Sequence, residues 1–462
     1  MHWIYSSLFL LSLSLASMAK EGRPNVLFIA VDDLRPELGC YGASHIYSPN
    51  IDALAKSGVL FEKAYCSVPT CGASRASLMT GLRPTPSRFL SYKTIAEKDA
   101  PGVVTMNTHF KKHGYRTLSF GKVFHSPKDN EKGWSQKPWF SSKPGHQLPV
   151  NRKNEKKGVL RGAPWEIAEA PDENYQDGEI AAEAVKCLGD LAAKPDEPFF
   201  LAVGFKKPHL PFAAPKKYWD LYPLKSIQLP GNYRLPKNAP ESARYSWGEL
   251  RRYSGMPAKG EVTDDQGKFL IRGYYACVSF IDAQVGKVLA ELKKQGLEEN
   301  TIVILWGDHG WNLGDHTYWC KHTVYESSLQ IPLIVKGPGC AVGGRVASPA
   351  ESVDLYPTLC KMAGLPLPKT LEGESLQERL VTPASKVEDI AFSRYQRGDS
   401  IRFGTWRYSE YRDRQGKVIG RMLYDHAKDP LENENVVAQP QNKTKVRLLS
   451  ERLKDEREKA KR

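Results

Sequence analysis

The sequence lacks the patterns that mark several common classes of protein. Its eight cysteines form no C-x-x-C pair and show no regular spacing, which argues against a zinc site and against a small scaffold held by disulfides. No basic cluster of the helix-turn-helix, zinc-finger or RRM type occurs, so no nucleic-acid partner is expected. The formal charge of +14 suits a polyanionic partner instead. With 41% hydrophobic and 26% charged residues, the composition predicts one large globular core and a smaller unit.

Long hydrophobic runs are also missing after the N-terminal segment. Residues 5–19 are apolar but too short to cross a bilayer, and they end in small residues that suit cleavage before Lys20. The run lacks the Lys or Arg expected ahead of it, so a short uncleaved anchor or a lipid-free membrane association is the alternative. We predict that residues 1–19 are a signal peptide and that the mature protein has no stable membrane span. It would be secreted or periplasmic, or lysosomal in a eukaryote.

Strands and helices alternate along most of the chain. Asn25–Val31 (NVLFIAV) is typical of a strand buried on both faces of a parallel sheet. A helix capped by Ser48 and ended by Gly58 follows it. Further helix and strand pairs are predicted at 105–113 with 117–120, at 178–193 with 199–205, and at 269–295 with 301–306. This alternation predicts an α/β fold with a doubly wound, mainly parallel sheet flanked by helices.

The pattern changes beyond residue 383. Short alternating runs there predict an antiparallel sheet, and a charged helix is predicted at 445–462. We therefore expect a large domain over 20–383 and a small α+β subdomain over 384–462. Residues 126–171 and 224–261 lack periodicity, and long structured loops over a site are expected there.

Charged side chains follow four of the predicted strands, where ligands of parallel sheets bind. They are Asp32 and Asp33, Lys122 and His125, His209, and Asp308 and His309. Three converging aspartates would repel one another unless a cation held them, and oxygen ligands favour a hard ion, with calcium preferred outside the cytosol. Each aspartate alone could instead be a helix cap or a turn former.

The stretch CGASRASLMTG begins with a cysteine at a predicted helix start. Arg75 would fall one turn after Cys71 on the same face, and free backbone N–H groups there favour an anion. This geometry suits an anionic nucleophile. A structural cysteine is the simpler interpretation, and a thiolate hydrolase would need a nearby His with an orienting Asn or Asp and would leave the acidic cluster unexplained.

CGASRASLMTG resembles the signature of the sulfatases, Cys-x-Pro/Ala-Ser-Arg followed by Leu-x-Thr-Gly, in which the cysteine is oxidised to formylglycine. Ala73 stands where the common signature has Pro. Other motifs occur in the same order as in the branch that holds iduronate-2-sulfatase and its bacterial relatives, over almost the entire mature chain. They include VDDLRPELGCYG, GKVFH, FLAVGFKKPHLPF, DHGWNLGDHTYWCKH and LYDHAKDPLENENV. The resemblance implies an alkaline-phosphatase-like fold, with 20–383 as the catalytic domain.

The resemblance also implies a mechanism and residue roles. Formylglycine at residue 71 would hydrate to a gem-diol, attack the sulfur of a sulfate ester and form a sulfated covalent intermediate. One calcium ion would be bound by Asp32, Asp33, Cys71, Asp308 and His309, the last of which stands where relatives often have Asn. Arg75 and Lys122 would hold the diol and the sulfate oxygens, and His125 would accept the proton of the second hydroxyl. His209 and Lys321 would bind sulfate and protonate the leaving oxygen.

The resulting prediction is an exported sulfatase that acts on sulfated sugars, such as a uronic acid 2-sulfate, after a maturation enzyme converts Cys71. Two alternatives stay open. One is a phosphonate or phosphate ester hydrolase of the same superfold. The other is a non-catalytic binder of sulfated glycans, in which Cys71 remains a thiol.

Overall fold

The computed structural model describes residues 22–155, 161–385 and 390–460, so the predicted signal peptide lies outside the described residues. A mixed sheet of seven strands forms its centre. The strands are β1 (Asn25–Val31), β2 (Val59–Phe61), β3 (Arg116–Gly121), β4 (Phe199–Phe205), β5 (Thr301–Gly307), β6 (Leu333–Lys336) and β7 (Gly344–Val346). Their order across the sheet is β7-β2-β6-β5-β1-β4-β3. Strand β6 is antiparallel to both of its neighbours, and the other pairs are parallel.

Twelve α-helices occur in the described residues. They are α1 (Pro49–Ser57), α2 (Cys71–Thr80), α3 (Ala96–Asp99), α4 (Met106–Lys112), α5 (Pro149–Glu155), α6 (Gln176–Ala192), α7 (Lys216–Trp219), α8 (Asp264–Lys294), α9 (Glu326–Leu329), α10 (Leu355–Met362), α11 (Gln377–Val381) and α12 (Lys443–Lys459). Helix α8 packs against α1, α6 and α7, whereas α2 packs against α4 and α10. None of the helices in the described ranges is long and apolar enough to cross a membrane.

Short ribbons complete the large domain. Three two-residue strands, Gln330–Ile331, Ala64–Tyr65 and Ala350–Glu351, form one small sheet. Trp165–Ala168 pairs in parallel with Phe212–Pro215, and Asn312–Leu313 pairs antiparallel with Trp319–Cys320. The predicted α/β architecture is confirmed.

The described C-terminal residues form an antiparallel sheet of β8 (Ile390–Tyr395), β9 (Gly398–Phe403), β10 (Trp406–Arg412) and β11 (Val418–Asp425), as predicted. Helix α12 packs on β9 and β10 and contributes Leu449 and Leu453 to a separate apolar core. Strand β8 is tied to the segment before α2, because the Ser393 hydroxyl donates to the Cys66 carbonyl at 2.6 Å. The last two residues of the predicted terminal helix lie outside the described ranges.

Strands β2, β6 and β7 were not predicted, and two helix starts also differ from the sequence predictions. Helix α8 begins at Asp264, earlier than predicted, because Thr263 and Gln266 form a reciprocal capping box. Ser48 precedes α1 but makes no side-chain cap. Its hydroxyl accepts from the Gly39 N–H at 2.9 Å and donates to Asp52 at 3.2 Å, so it fixes the preceding turn instead.

Two glycines let the ends of β3 and β4 approach closely. The N–H of Lys122 donates to the Gly204 carbonyl at 2.7 Å, and a Cβ at Gly204 would lie 2.2 Å from the Lys122 backbone. Gly121 has a φ of 74°, which favours glycine, and a Cβ there would lie 2.2 Å from the Gly204 carbonyl oxygen. The path of the chain into Lys122 therefore depends on both residues lacking a side chain.

We expect Gly204→Ala to destabilise the protein by about 1–3 kcal/mol, since the added methyl group collides with backbone that must shift. The shift should also move Lys122. The midpoint of thermal unfolding would be measured. Gly189→Ala is the matched control, because a Cβ in that helical position meets only the end of the Gln295 side chain at 3.8 Å. Equal midpoints for the Gly204→Ala variant and the wild type would contradict the prediction.

Candidate active site

The charged residues that follow the strands meet at one edge of the sheet. Asp32 and Asp33 follow β1, and Asp308 and His309 follow the neighbouring β5. The Asp308 N–H donates to the Val31 carbonyl at 3.2 Å, and the Asp33 N–H donates to Asp308 Oδ1 at 2.9 Å. Asp33 adopts a φ of 61°, which turns the chain sharply after the strand. Backbone pairing therefore brings these carboxylates together before any side chain is considered.

Cys71 is the first residue of α2, and Thr70 precedes the helix in an extended conformation. The Cys71 Sγ lies 3.3 Å from His309 Nε2 and 4.0 Å from Asp33 Oδ1. Burial raises the pKa of the Cys71 thiol to about 12, and nearby Asp32 adds to the effect against Lys122 and Lys321. A thiol with this pKa is almost entirely protonated at neutral pH, so the arrangement disfavours an unmodified thiolate nucleophile.

Arg75 is fully buried behind the carboxylates and does not line the cavity above them. Its Nε donates to Asp308 Oδ2 at 2.9 Å, and its Nη2 donates to Asp32 Oδ1 at 3.2 Å. The Nη1 group donates to the carbonyls of Lys122 and Val123. The guanidinium thus holds two aspartates and the end of β3 in fixed positions. Its predicted contact with sulfate oxygens stays a prediction.

Three cations neutralise the aspartates in this arrangement. Lys122 Nζ contacts Asp32 Oδ2, and Lys321 Nζ lies 3.1 Å from each oxygen of Asp33. Burial alone would raise the pKa of Asp32, but Lys122 and Arg75 outweigh burial and hold it well below its usual range. For Asp33, burial raises the pKa well above its usual range, and Lys321 does not offset it.

The donor set at the strand ends fits a hard divalent cation. One donor atom each from Asp32, Cys71, Asp308 and His309 lies within 4.8 Å of the others, and these residues are buried. A second overlapping set joins Asp33 and His209 to Asp32 and Cys71. Carboxylate oxygens are the ligands that calcium and magnesium prefer, and a cation would oppose the burial and the repulsion by Asp32 that raise the pKa of Asp33.

A cavity of about 660 Å³ opens above this cluster. Asp32, Cys71, Lys122, His125, His209 and Lys321 all line it. The two segments predicted as long loops also contribute to its wall, through residues such as Phe140 and Arg161 from the first and Tyr245 and Glu249 from the second. The structure therefore places both aperiodic segments around the candidate site.

His125 faces the cavity with a neutral imidazole. Burial lowers its pKa to about 3, and the adjacent Lys122 disfavours the charged form further. Its Nδ1 is buried and has no hydrogen-bond partner, and its ring meets Tyr92 edge-on with centroids 5.9 Å apart. A neutral imidazole that lines the cavity can accept a proton from a group that enters it.

Glu249 also lines the cavity, where it bridges His209 and Lys321. Its Oε1 lies 3.0 Å from His209 Nε2, and its Oε2 lies 3.0 Å from Lys321 Nζ. Burial would raise the pKa of Glu249, but Lys321 and His209 outweigh burial and hold it well below its usual range. The Lys321 ammonium also lies over the Trp311 ring, 4.7 Å from its centroid.

Sequence reasoning missed two residues that line the cavity, Glu249 and His322. Glu249 falls in an aperiodic segment, and no local pattern marks it. His322 follows Lys321 directly, which was the one available signal. Its Nδ1 lies 2.7 Å from the Tyr245 hydroxyl, and its Nε2 lies 3.2 Å from Thr70 Oγ1, so it joins the second loop to the start of α2. All eight cysteines are free, in agreement with the absence of a disulfide pattern.

Known proteins and family models match this chain over most of its length. The family model described as Sulfatase matches residues 24–365, and one described as N-sulphoglucosamine sulphohydrolase, C-terminal, matches residues 314–459. The chain is 31% identical to the iduronate 2-sulfatase of Mus musculus, over 89% of this chain and 90% of that protein.

Two solved structures share the fold. One is the protein BT4656 in complex with its substrate D-glucosamine-2-N,6-O-disulfate. It aligns with a TM-score of 0.78 and 21% identity, over 95% of this chain and 98% of the other. The other is a phosphonate monoester hydrolase of Agrobacterium radiobacter, with a TM-score of 0.78, 24% identity and coverage of 95% and 96%. The predicted family is confirmed by the sequence matches: the chain belongs to the sulfatases and is a sulfuric ester hydrolase.

Proposed function

We propose that this chain is an exported sulfatase that hydrolyses sulfate esters of sulfated sugars, including uronic acid 2-sulfates, with formylglycine at residue 71 as its nucleophile. The observation that carries the proposal is the position of Cys71. It lies at the start of a buried helix, at the base of a cavity, between a carboxylate cluster and the side chains of Lys122, His125, His209 and Lys321. The name of the mouse relative supports the choice of sugar.

Calcium is the cation we propose for the donor set, held by Asp32, Asp33, Asp308, His309 and the side-chain oxygen of the converted residue 71. When bound, it would supply positive charge that polarises the sulfate ester and the attacking oxygen. Arg75 acts from behind, because its guanidinium fixes Asp32 and Asp308. Lys122 holds Asp32 and presents its ammonium to the cavity, where a sulfate oxygen can bind.

Two groups of cavity residues would carry out the proton transfers: His125 would accept a proton, and His209 with Lys321 would donate one. His125 is neutral and unpaired, and it would accept the proton of the second hydroxyl at residue 71, so that sulfate can be expelled. His209 and Lys321 lie together on the wall formed with Glu249. They would bind the sulfate group and donate a proton to the leaving sugar oxygen.

A phosphonate or phosphate ester hydrolase is the alternative within the same fold, which the Agrobacterium radiobacter enzyme shares. The fold alone does not separate the two activities. Release of sulfate against phosphate from paired aryl esters would do so. A binder of sulfated glycans would release neither and would retain the Cys71 thiol.

The first test is the mass of the tryptic peptide from Ala64 to Arg75, prepared from protein made in its native host. We expect the mass that corresponds to exchange of the Cys71 thiol for an aldehyde oxygen, or its hydrate. Cys71→Ser should lose multiple turnover, since a serine sulfate ester has no second hydroxyl to expel sulfate. An unmodified thiol throughout, or full turnover by Cys71→Ser, would contradict the proposal.

Calcium added after dialysis against a chelator should raise the thermal midpoint and restore activity, because an ion that binds only the folded state stabilises it. At a free concentration of 100 times Kd the gain is about 2.7 kcal/mol. Asp308→Asn should reduce this shift. Glu432→Gln is the matched control, since Glu326, His426 and Glu432 form a separate cluster that Arg407 already neutralises. A calcium shift that survives Asp308→Asn and disappears in Glu432→Gln would place the ion elsewhere.

His125→Ala should lower the steady-state rate by about 10²–10⁴-fold, the usual contribution of one proton transfer. The first sugar alcohol should still be released, so a burst should precede the slow phase, and the residue-71 peptide should carry the mass of sulfate. His45→Ala is the control, because His45 is an exposed histidine paired with Glu37. Equal slowing of the burst and of the steady state would show that His125 does not act in sulfate release.

A further inference from the structure

Glu249 is the one carboxylate on the cavity wall that lies outside the proposed ion site and contacts two of the proposed catalytic groups. Its side chain is 14% exposed, and each of its oxygens contacts a different cationic or ionisable side chain. Those partners, His209 and Lys321, come from different parts of the chain. Glu249 therefore joins two groups that no backbone pairing holds together directly.

The backbone around Glu249 is firmly anchored. Trp247 and Leu250, on either side, are 4% and 1% exposed. The Arg161 N–H donates to the Arg252 carbonyl at 2.9 Å, which ties this segment to the first loop. An anchored residue can hold its partners in place, whereas a carboxylate on a loose surface loop would lose that energy to side-chain entropy.

The contacts also define which nitrogen of His209 faces the reaction. His209 Nδ1 lies 2.5 Å from the Leu210 carbonyl, a contact that requires an N–H on that nitrogen. The other nitrogen, Nε2, lies 3.0 Å from Glu249 Oε1 and 4.0 Å from Asp33 Oδ2, and it donates to Glu249 when both ring nitrogens carry protons, which is also the form that can protonate the leaving oxygen. Lys321 is held in the same way, between Asp33 on one side and Glu249 on the other.

We propose that Glu249 is a positioning residue that holds His209 Nε2 and Lys321 Nζ beside the leaving oxygen of the substrate. The inference rests on the proposed sulfatase mechanism and adds a residue to it. Glu249 itself does not need to touch the substrate. Its effect should therefore depend on how much the leaving group needs a proton donor.

The test compares two esters that differ in the leaving group. A sulfated uronate disaccharide releases a weakly acidic alcohol, whereas para-nitrophenyl sulfate releases a stable phenolate that needs little protonation. For Glu249→Gln we expect kcat on the disaccharide to fall about 10–100-fold, the usual effect of losing an orienting partner, with a smaller change in KM. The rate with the aryl ester should fall much less. Glu249→Asp should recover part of the loss, because it keeps the charge.

A double variant tests whether Glu249 acts through His209. In a His209→Ala background, Glu249→Gln should cost less activity on the disaccharide than it does in the wild type, since only its contact with Lys321 is left to lose and residues that act as one unit are not additive. Glu241→Gln is the matched control on the same loop, because Glu241 is 80% exposed and pairs only with Arg244 in the described contacts. Thermal midpoints and the residue-71 peptide mass would be measured for every variant.

The possible outcomes separate the two proposals. A wild-type protein that releases sulfate from neither ester rejects the proposed function, and the role of Glu249 with it. An active wild type together with equal losses on both esters, or no loss on either, rejects the positioning role alone. Full additivity with His209→Ala would reject it as well.

Discussion

The mutual repulsion of Asp32, Asp33 and Asp308 is the constraint around which the rest of the site is built. All three are fully buried, and burial of unpaired carboxylates costs several kcal/mol each. Three cations pair with these carboxylates: Arg75 of α2, Lys122 directly after β3, and Lys321 from a distant loop. Removal of one member of such a pair leaves an uncompensated buried charge, which typically costs 3–5 kcal/mol.

That electrostatic balance connects features that are far apart in sequence. The glycines at 121 and 204 allow β3 and β4 to approach, and this approach delivers Lys122 to Asp32. Helix α2 starts at Cys71, so Arg75 lies one turn later, where its buried side chain reaches the carboxylates. The same helix therefore supplies both the proposed nucleophile and the group that orders the carboxylates beneath it.

The sequence was sufficient to predict four of the seven strands of the central sheet and the residues at their carboxyl ends, but not β2, β6 and β7. Strands β1 and β4 were predicted to the residue, because buried parallel strands are continuous apolar runs with abrupt polar ends. The direction of the Arg75 guanidinium was not predictable, since it depends on the carbonyls of Lys122 and Val123. Glu249 was missed because its position depends on the path of an aperiodic loop, which carries no local pattern. His322 was missed because its partners, Tyr245 and Thr70, are distant in sequence.

The wall that contains Glu249 shows how such loops contribute to a site built on a rigid sheet. Strand ends fix the carboxylates and Lys122, whereas the second loop adds Tyr245 and Glu249 to the lining of the cavity. Buried residues of this loop, such as Trp247 and Leu250, anchor it to the domain. Variation in such loops is a general way to alter substrate choice while the chemistry at the sheet edge is kept.

The burial of α2 has a consequence for the order of events during biosynthesis. All ten residues of the helix are buried, and Cys71 is only 2% exposed. An enzyme that oxidises this cysteine must bind the surrounding segment, and the folded domain presents no such segment. On the proposed function, conversion of Cys71 would take place on the nascent or unfolded chain, before the domain closes around α2.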